Sequence, residues 1–305
     1  MSEWMIGLGS ADVTPPLGTT LVGYGPRKAE SVGHSLRAEA LACRQADGPG
    51  WILLAADVIG YARELGDLVR GDIASHTGCP VEGVMLTATH THSGPPTIRF
   101  GHPDLSDEDH EALNRLRRGL VAAAEEAWNS VEPGRFETAR VRAGDLFSNR
   151  RVQGEDGTWA NEWEDPEGRH PGVVDPDVLL VGVRRGDTMA GLLVNVPCHP
   201  VVLGPQSLAI SADYAGYLKD RLEEAGAAER AMFCLSGGAN MNPRVCIREG
   251  ETYPRAMGEA LADRVLAGIG ALEPVEEGAP RFHEEPWIFE RTRKNPKRSF
   301  PAHSE

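Results

Sequence analysis

Residues 51–57 read Trp-Ile-Leu-Leu-Ala-Ala-Asp, and residues 84–96 read Val-Met-Leu-Thr-Ala-Thr-His-Thr-His-Ser-Gly-Pro-Pro. Each begins with a short unbroken apolar run of strand length, the pattern of a strand covered on both faces. Between them, 62–76 sets Leu65, Leu68, Val69 and Ile73 at helical spacing and stops at Gly78 and Pro80. Working outward, Ser106-Asp107-Glu108-Asp109 caps a helix that runs to about residue 129 before Pro133. Residues 136–145 alternate like a strand, and 178–184 and 189–196 read as a strand pair around Arg185-Gly186-Asp187. Helices are expected over 213–225 and 253–272, with a strand at 231–235 between them. This mixed order predicts an α/β fold, a mixed β-sheet with flanking helices. Residues 147–177, rich in Gly, Pro, Trp and acids, read as a long irregular loop of the kind that carries function.

The chain has 305 residues, with 31 Lys+Arg against 45 Asp+Glu and a formal charge of −14. Hydrophobic residues make up 41% and charged residues 25%, ordinary globular composition. The acidic balance argues against nucleic acid or an anionic membrane as the main partner. No run of about 18 apolar residues is present to span a bilayer. The N-terminus, with no basic segment and no long apolar run, is not expected to be a secretory leader. Five scattered cysteines, with no CxxC pair, indicate packed thiols rather than disulfides or a thiolate zinc site. The expected compartment is the cytoplasm. One α/β domain is expected over 1–275. Residues 276–305 read as a linker and basic tail, either disordered or the remnant of a missing C-terminal part, because 291–305 hold five basic residues and one acid.

Chemistry-bearing residues gather where the predicted strands end, and open α/β sheets place ligand crevices at strand C-terminal ends. His90 and His92 at i and i+2 of an extended segment share a face and could converge on one ion or substrate. His199, in Asn195-Val196-Pro197-Cys198-His199-Pro200, would add a third imidazole from another strand. Cys198 is a conceivable thiolate ligand, although an extended chain turns it away from His199. Asp213, in Ser211-Ala212-Asp213-Tyr214, is either a helix cap or an acid that serves a metal or takes a proton. Arg150 offers a guanidinium for an oxyanion. Gly237 and Gly238 precede Asn240 and Asn242 and offer close backbone approach and free N–H groups. His34 and Asp57 are further pocket candidates; Asp57, at the end of a buried strand, needs a partner.

Seven blocks occur in the order that resembles the N-terminal domain family of neutral/alkaline non-lysosomal ceramidases. They are GLGSADVTPP from Gly7, GHSLRAEA from Gly33, THTHSGP from Thr89, Ser148-Asn149-Arg150, NVPCHPVVLG from Asn195, SADYAGY from Ser211 and GGANMNP from Gly237. The resemblance implies a zinc-dependent amidase with a metallohydrolase-like site. It maps His90 and His199 as zinc ligands, His92 as an active-site residue, and Arg150 as a contact to the reacting centre. The family carries a Ser at the catalytic centre where this sequence has Asn242. The family's further zinc ligands, a Glu and a Tyr, lie well downstream of this block and have no recognisable equivalent here.

The expected function is therefore hydrolysis of an amide bond in a small molecule by a zinc-activated water. His92 or Asp213 takes the proton, while Arg150 with Gly237 and Gly238 steadies the oxyanion. Asn242 orients substrate or water, and His34 and Asn240 contact substrate. The rival expectations are a truncated, non-catalytic homologue and a metal-free binder of anions or other small molecules. A hydrolase of another bond type served by the same zinc water, such as a lactonase or phosphoesterase, is a third. Oligomeric state is left open.

Overall fold

A computed structural model describes residues 4–45, 50–98, 104–169 and 172–275. Eight strands form the backbone of the main sheet: β1 (Trp4–Asp12), β2 (Arg37–Gln45), β3 (Gly50–Ala56), β4 (Val84–Ala88), β5 (Glu132–Arg142), β6 (Asp177–Arg185), β7 (Thr188–Val196) and β8 (Arg230–Leu235). Four helices flank it: α1 (Arg63–Thr77), α2 (Asp107–Asn129), α3 (Asp213–Glu224) and α4 (Thr252–Gly268). The order across the sheet is β8-β7-β6-β5-β1-β2-β3-β4, with Glu273–Pro274 as a ninth short strand beside β5. The central pairs are antiparallel, whereas β3/β4 and β7/β8 at the two edges are parallel. Each parallel pair is bridged by one helix, α1 or α3, so the mixed α/β sheet expected from the sequence is the one observed.

The sheet is folded over, and its edge strands β4 and β8 approach each other. The interior between its halves is filled by strand residues: Ile6 and Leu8 from β1 and Leu41 from β2 meet Leu193 from β7 and Met232 from β8. Strict alternation explains β2. Ala38, Ala40 and Ala42 face the helices α1 and α2, and Leu41 and Cys43 face the interior. A third core lies between β5–β8 and α3 with α4, centred on Phe147, Phe233, Leu218 and Leu261. Packing thus runs helices, half-sheet, half-sheet, helices.

The strands β1 and β2 escaped the sequence reading. Their Gly-, Ala- and polar-containing runs lack a strong apolar signal, and glycine has a packing cause. A Cβ on Gly7 would lie 1.8 Å from the Ala127 carbonyl oxygen, so α2 crosses β1 in direct backbone contact. At the N-terminus of α2 the expected cap is a full capping box, with Ser106 and Asp109 exchanging side-chain-to-backbone hydrogen bonds. The fourth helix ends at Gly268, earlier than expected, and a 3-10 turn follows over Ile269–Ala271.

The expected irregular loop at 147–177 is more ordered than that. Phe147–Asn149 pairs with Met241–Pro243, and Arg151–Gln153 pairs with Trp159–Asn161. Three-residue strands carry too little periodicity to be read from sequence; the partner at 241–243 supplies the order. All five cysteines are buried and free. No helix among the described residues is long and apolar enough to cross a membrane. The predicted linker and tail at 276–305 lie outside the described residues.

Candidate metal centre

The strand β4 ends at Ala88, two residues short of His90. His90 and His92 therefore do not share a strand face, which corrects the alternation argument for their convergence. His90 instead adopts the left-handed region at φ 71°, a costly conformation for a non-glycine residue. Two hydrogen bonds hold it there. Its backbone N–H donates to Val58 O at 2.9 Å, and its ring Nδ1 meets Ile59 O at 2.5 Å. Both acceptors belong to the turn that leaves β3, the neighbour of β4.

His199 follows β7 and is held the same way. Its N–H donates to Met241 O at 2.9 Å, and Nδ1 meets Gly238 O at 2.8 Å. A ring nitrogen facing a carbonyl must carry the proton, so His90 and His199 are both Nδ1–H tautomers with Nε2 lone pairs free. This is the outer-layer arrangement by which metal-ligating imidazoles are oriented.

His92 completes the group. Ring centroids lie 4.7 Å apart for His90–His199, 5.1 Å for His90–His92 and 5.8 Å for His92–His199. One nitrogen from each ring falls within 4.8 Å of the others. Both His92 nitrogens are buried without a hydrogen-bond partner among the described residues, an expensive state unless something else binds them. Burial first, then the neighbouring His90, His199, Arg27 and Arg150, push the His92 pKa down to about 2. Burial likewise takes His199 down to about 4, and it lowers His90. Three neutral imidazoles with convergent lone pairs fit a zinc-type ion, and three protein ligands leave a position open.

The sequence reading missed the hairpin Thr20–Leu21/Arg27–Lys28, which presses on His92. Tyr24 at its tip packs edge-on, its centroid 4.9 Å from the His92 ring. Arg27 donates to the His92 carbonyl and to Ser207 O at 2.6 Å. A Cβ on Gly23 would lie 2.4 Å from His92 Cγ, and Gly23 has φ +114°. The run Gly23-Tyr24-Gly25-Pro26-Arg27, turn residues interleaved with an aromatic and a cation, was the available signal.

Arg150 reaches the same side of the molecule, where its charge lowers the pKa values of all three imidazoles. Its guanidinium lies over Trp163 at 4.9 Å, and no described residue gives it a hydrogen bond or an ion pair. Its backbone N–H donates to Asn240 O at 2.9 Å, so Asn240 helps to place Arg150 through its carbonyl. A cavity of about 490 Å³, lined by Tyr24, Glu162, Trp163, Pro205 and Arg248 among others, opens beside these groups. A larger one of about 790 Å³ lies along α1 and β4 and includes none of the predicted site residues.

Several expected roles are corrected. Asp213 is engaged in holding backbone: Oδ1 accepts the Val202 and Tyr214 N–H groups and Oδ2 accepts that of Leu203, at 3.3, 2.7 and 2.9 Å. Burial nonetheless raises its pKa to about 7 against those donors. His92, neutral far below pH 7, suits a donor to metal better than a proton acceptor. The Gly238 N–H donates to Ser236 O at 2.6 Å and is lost to an oxyanion; the Gly238 carbonyl orients His199 instead. Gly237 is exposed. His34 has both nitrogens taken, Nε2 by Asp220 at 2.9 Å and Nδ1 by Ser35 O at 2.7 Å, leaving none for a substrate. Cys198 is fully buried, with its thiol pKa well raised, and makes no thiolate ligand. Asn242 is fully buried. Its Nδ2 donates to Trp163 O at 2.8 Å, and its Oδ1 has no partner among the described residues. The partner that Asp57 required is the ammonium of Lys219, 2.9 Å away.

With this fold and site in view, the chain belongs to the neutral/alkaline non-lysosomal ceramidase family, whose N-terminal model matches residues 4–254. Neutral ceramidase of Pseudomonas aeruginosa is 26% identical over 263 residues, covering 81% of this chain and 38% of that protein. The crystal structure of neutral ceramidase from Pseudomonas aeruginosa superposes with a TM-score of 0.75 at 20% identity, over 91% of this chain and 46% of that one. A ceramidase complexed with C2 gives 0.74 at the same identity. The chain thus spans less than half the length of the relatives it matches.

Proposed function

We propose that this protein is a zinc-dependent hydrolase of an amide bond in a small molecule, with His90, His92 and His199 as the metal donors. The observation that carries the reading is the pair of carbonyls, Ile59 O and Gly238 O, that fix two facing imidazoles with their Nε2 lone pairs toward a third. The three imidazoles would hold a zinc ion, which when bound would supply a Lewis acid and a water acidified toward neutrality. The protein's own groups do the rest. His90 and His199 are kept in one tautomer, so no reorientation is needed on binding. Tyr24 and Gly23 pack against His92 and limit its swing. Arg150, with no ion-pair partner among the described residues and its guanidinium over the Trp163 ring, is available to the carbonyl oxygen as it gains negative charge. Water is consumed, the C–N bond breaks, and a carboxylate and an amine leave. The family relationship favours an N-acyl substrate, since the curated relative is a neutral ceramidase.

Purified protein is assayed for zinc and for release of free amine from short-chain N-acyl amides, before and after chelation and on return of zinc. The expected result is stoichiometric zinc, with hydrolysis lost on chelation and restored by zinc. A folded protein that binds no zinc, or whose hydrolysis ignores the chelator, refutes the proposal.

A further inference from the structure

We infer that α3 is the positioning element of the imidazole cluster: buried polar groups along 211–219 brace all three histidine-bearing segments. The inference rests on the metal-site reading for its importance, although its geometry stands apart from that reading.

Lys219 is fully buried, an unusual place for an ammonium. Its Nζ lies 3.0 and 2.9 Å from the two Asp57 oxygens and 2.7 Å from Glu39 Oε1. Asp57 comes directly after β3, and its Oδ2 also accepts the Arg37 N–H at 2.8 Å. The next two residues, Val58 and Ile59, present the carbonyls that hold His90 by its N–H and its ring. Fixing Asp57 therefore fixes the cradle of His90.

The other end of the helix grips the His199 segment. The Tyr214 hydroxyl donates to Cys198 O at 2.5 Å, one residue before His199. The Asp213 carboxylate binds the Val202 and Leu203 N–H groups just beyond it. Just upstream of the helix, Ser211 O accepts the Thr91 hydroxyl at 2.7 Å, and the Ser211 N–H donates to Ser93 O at 3.0 Å. Those two bonds flank His92.

A helix is the stiffest local element available, and 213 to 219 spans about 9 Å along its axis at about 1.5 Å per residue. Apolar side chains could fill the same volume without desolvating charge. Hydrogen bonds and ion pairs add direction, which packing alone lacks. Here the contacts of Tyr214, Asp213 and Ser211 end on residues within four positions of an imidazole, and Lys219 meets the carboxylate that begins the turn holding His90, with Glu39 as its second partner.

Zinc affinity is measured by competition with a chromophoric chelator for Tyr214→Phe and Asp57→Asn. Both variants keep side-chain shape; the first loses the Cys198 contact and the second the charge facing Lys219. Glu137→Gln is the comparison, since it removes the charge of a buried carboxylate paired with the partly exposed Arg184 at 2.8 Å and Arg135 at 3.0 Å, away from every histidine segment. Thermal midpoints are recorded for all three. Imidazole Nδ1–H resonances are followed in metal-free protein. The expected result is zinc affinity weakened about 10- to 100-fold in Tyr214→Phe and Asp57→Asn and unchanged in Glu137→Gln at a similar loss of midpoint. The His199 resonance should weaken in the first variant and the His90 resonance in the second. Wild-type protein that binds no zinc refutes the metal reading, and the resonances then decide this inference by themselves. Unchanged resonances overturn it, as does an equal affinity loss in Glu137→Gln.

Discussion

Replacing Lys219 with Met tests the charged centre of the fold. Lys219 stands against Asp57 and Glu39, with relative exposures of 0%, 0% and 3% for the three side chains. Burial works against the ammonium, but the two carboxylates outweigh it and hold its pKa above the usual lysine value. Removing it leaves Glu39 with Arg37 at 3.2 Å and Asp57 with only backbone donation, so roughly one buried charge goes uncompensated. Breaking a buried pair in this way costs about 3–5 kcal/mol at neutral pH. The pH dependence has a definite sign. Burial already raises Glu39 despite the pull of Lys219, and loss of the ammonium raises it further. A carboxyl whose folded-state pKa lies above its unfolded value contributes most below the unfolded value. It loses that contribution as pH rises through the folded value. The deficit of Lys219→Met should thus be smallest near the unfolded carboxyl range, about pH 4, and grow toward pH 8. Adding Asp57→Asn removes the stranded charge, so the double variant should be more stable than Lys219→Met at pH 8, by about 1 kcal/mol or more. Urea unfolding at several pH values, with m-values compared, measures all of this. A deficit below about 1 kcal/mol that is flat with pH, or a double variant worse than the single, refutes the reasoning.

Two further variants address the site. Gly23→Ala places a methyl 2.4 Å from His92 Cγ in a backbone region alien to alanine; it should cost about 1–3 kcal/mol and weaken zinc binding more than tenfold, read by thermal unfolding and zinc titration. Zinc affinity equal to wild type would remove His92 from the donor set. Arg150→Ala should lower kcat about 10²–10³-fold while zinc content stays stoichiometric; an unchanged kcat would take Arg150 out of oxyanion stabilisation.

Much of the architecture was legible because it is written in local periodicity. The runs at 51–57 and 84–88, the helical spacing between them and the box at Ser106 each declare an element without reference to the rest of the chain. The strand β1 was hidden because the close approach of α2 demands Gly7 and tolerates no bulky signal there, and β2 because its helix-facing positions are the small Ala38, Ala40 and Ala42. The short pairings of 147–149 and 151–153 were hidden because their partners are distant or equally short.

The site divides along the same line. The types and order of its residues, three histidines and an arginine at strand ends within a recognisable series of blocks, were readable before any coordinates. Which groups remain free was not. Asp213, His34 and Gly238 looked like chemistry and turned out to be holding structure, while Gly23 and Tyr24 showed only a turn signal and Lys219 carried no local sign of its importance. A side chain's availability depends on whether its hydrogen-bonding capacity is already filled by groups far away in sequence, as Asp213 is by 202 and 203 and Lys219 by 39 and 57. The sequence by itself determined the helices, most of the longer strands and the chemical alphabet of the candidate site. Only the tertiary structure decided that His90 would bend into a left-handed turn and meet His199 across the sheet, because that geometry is held by carbonyls from other strands and loops.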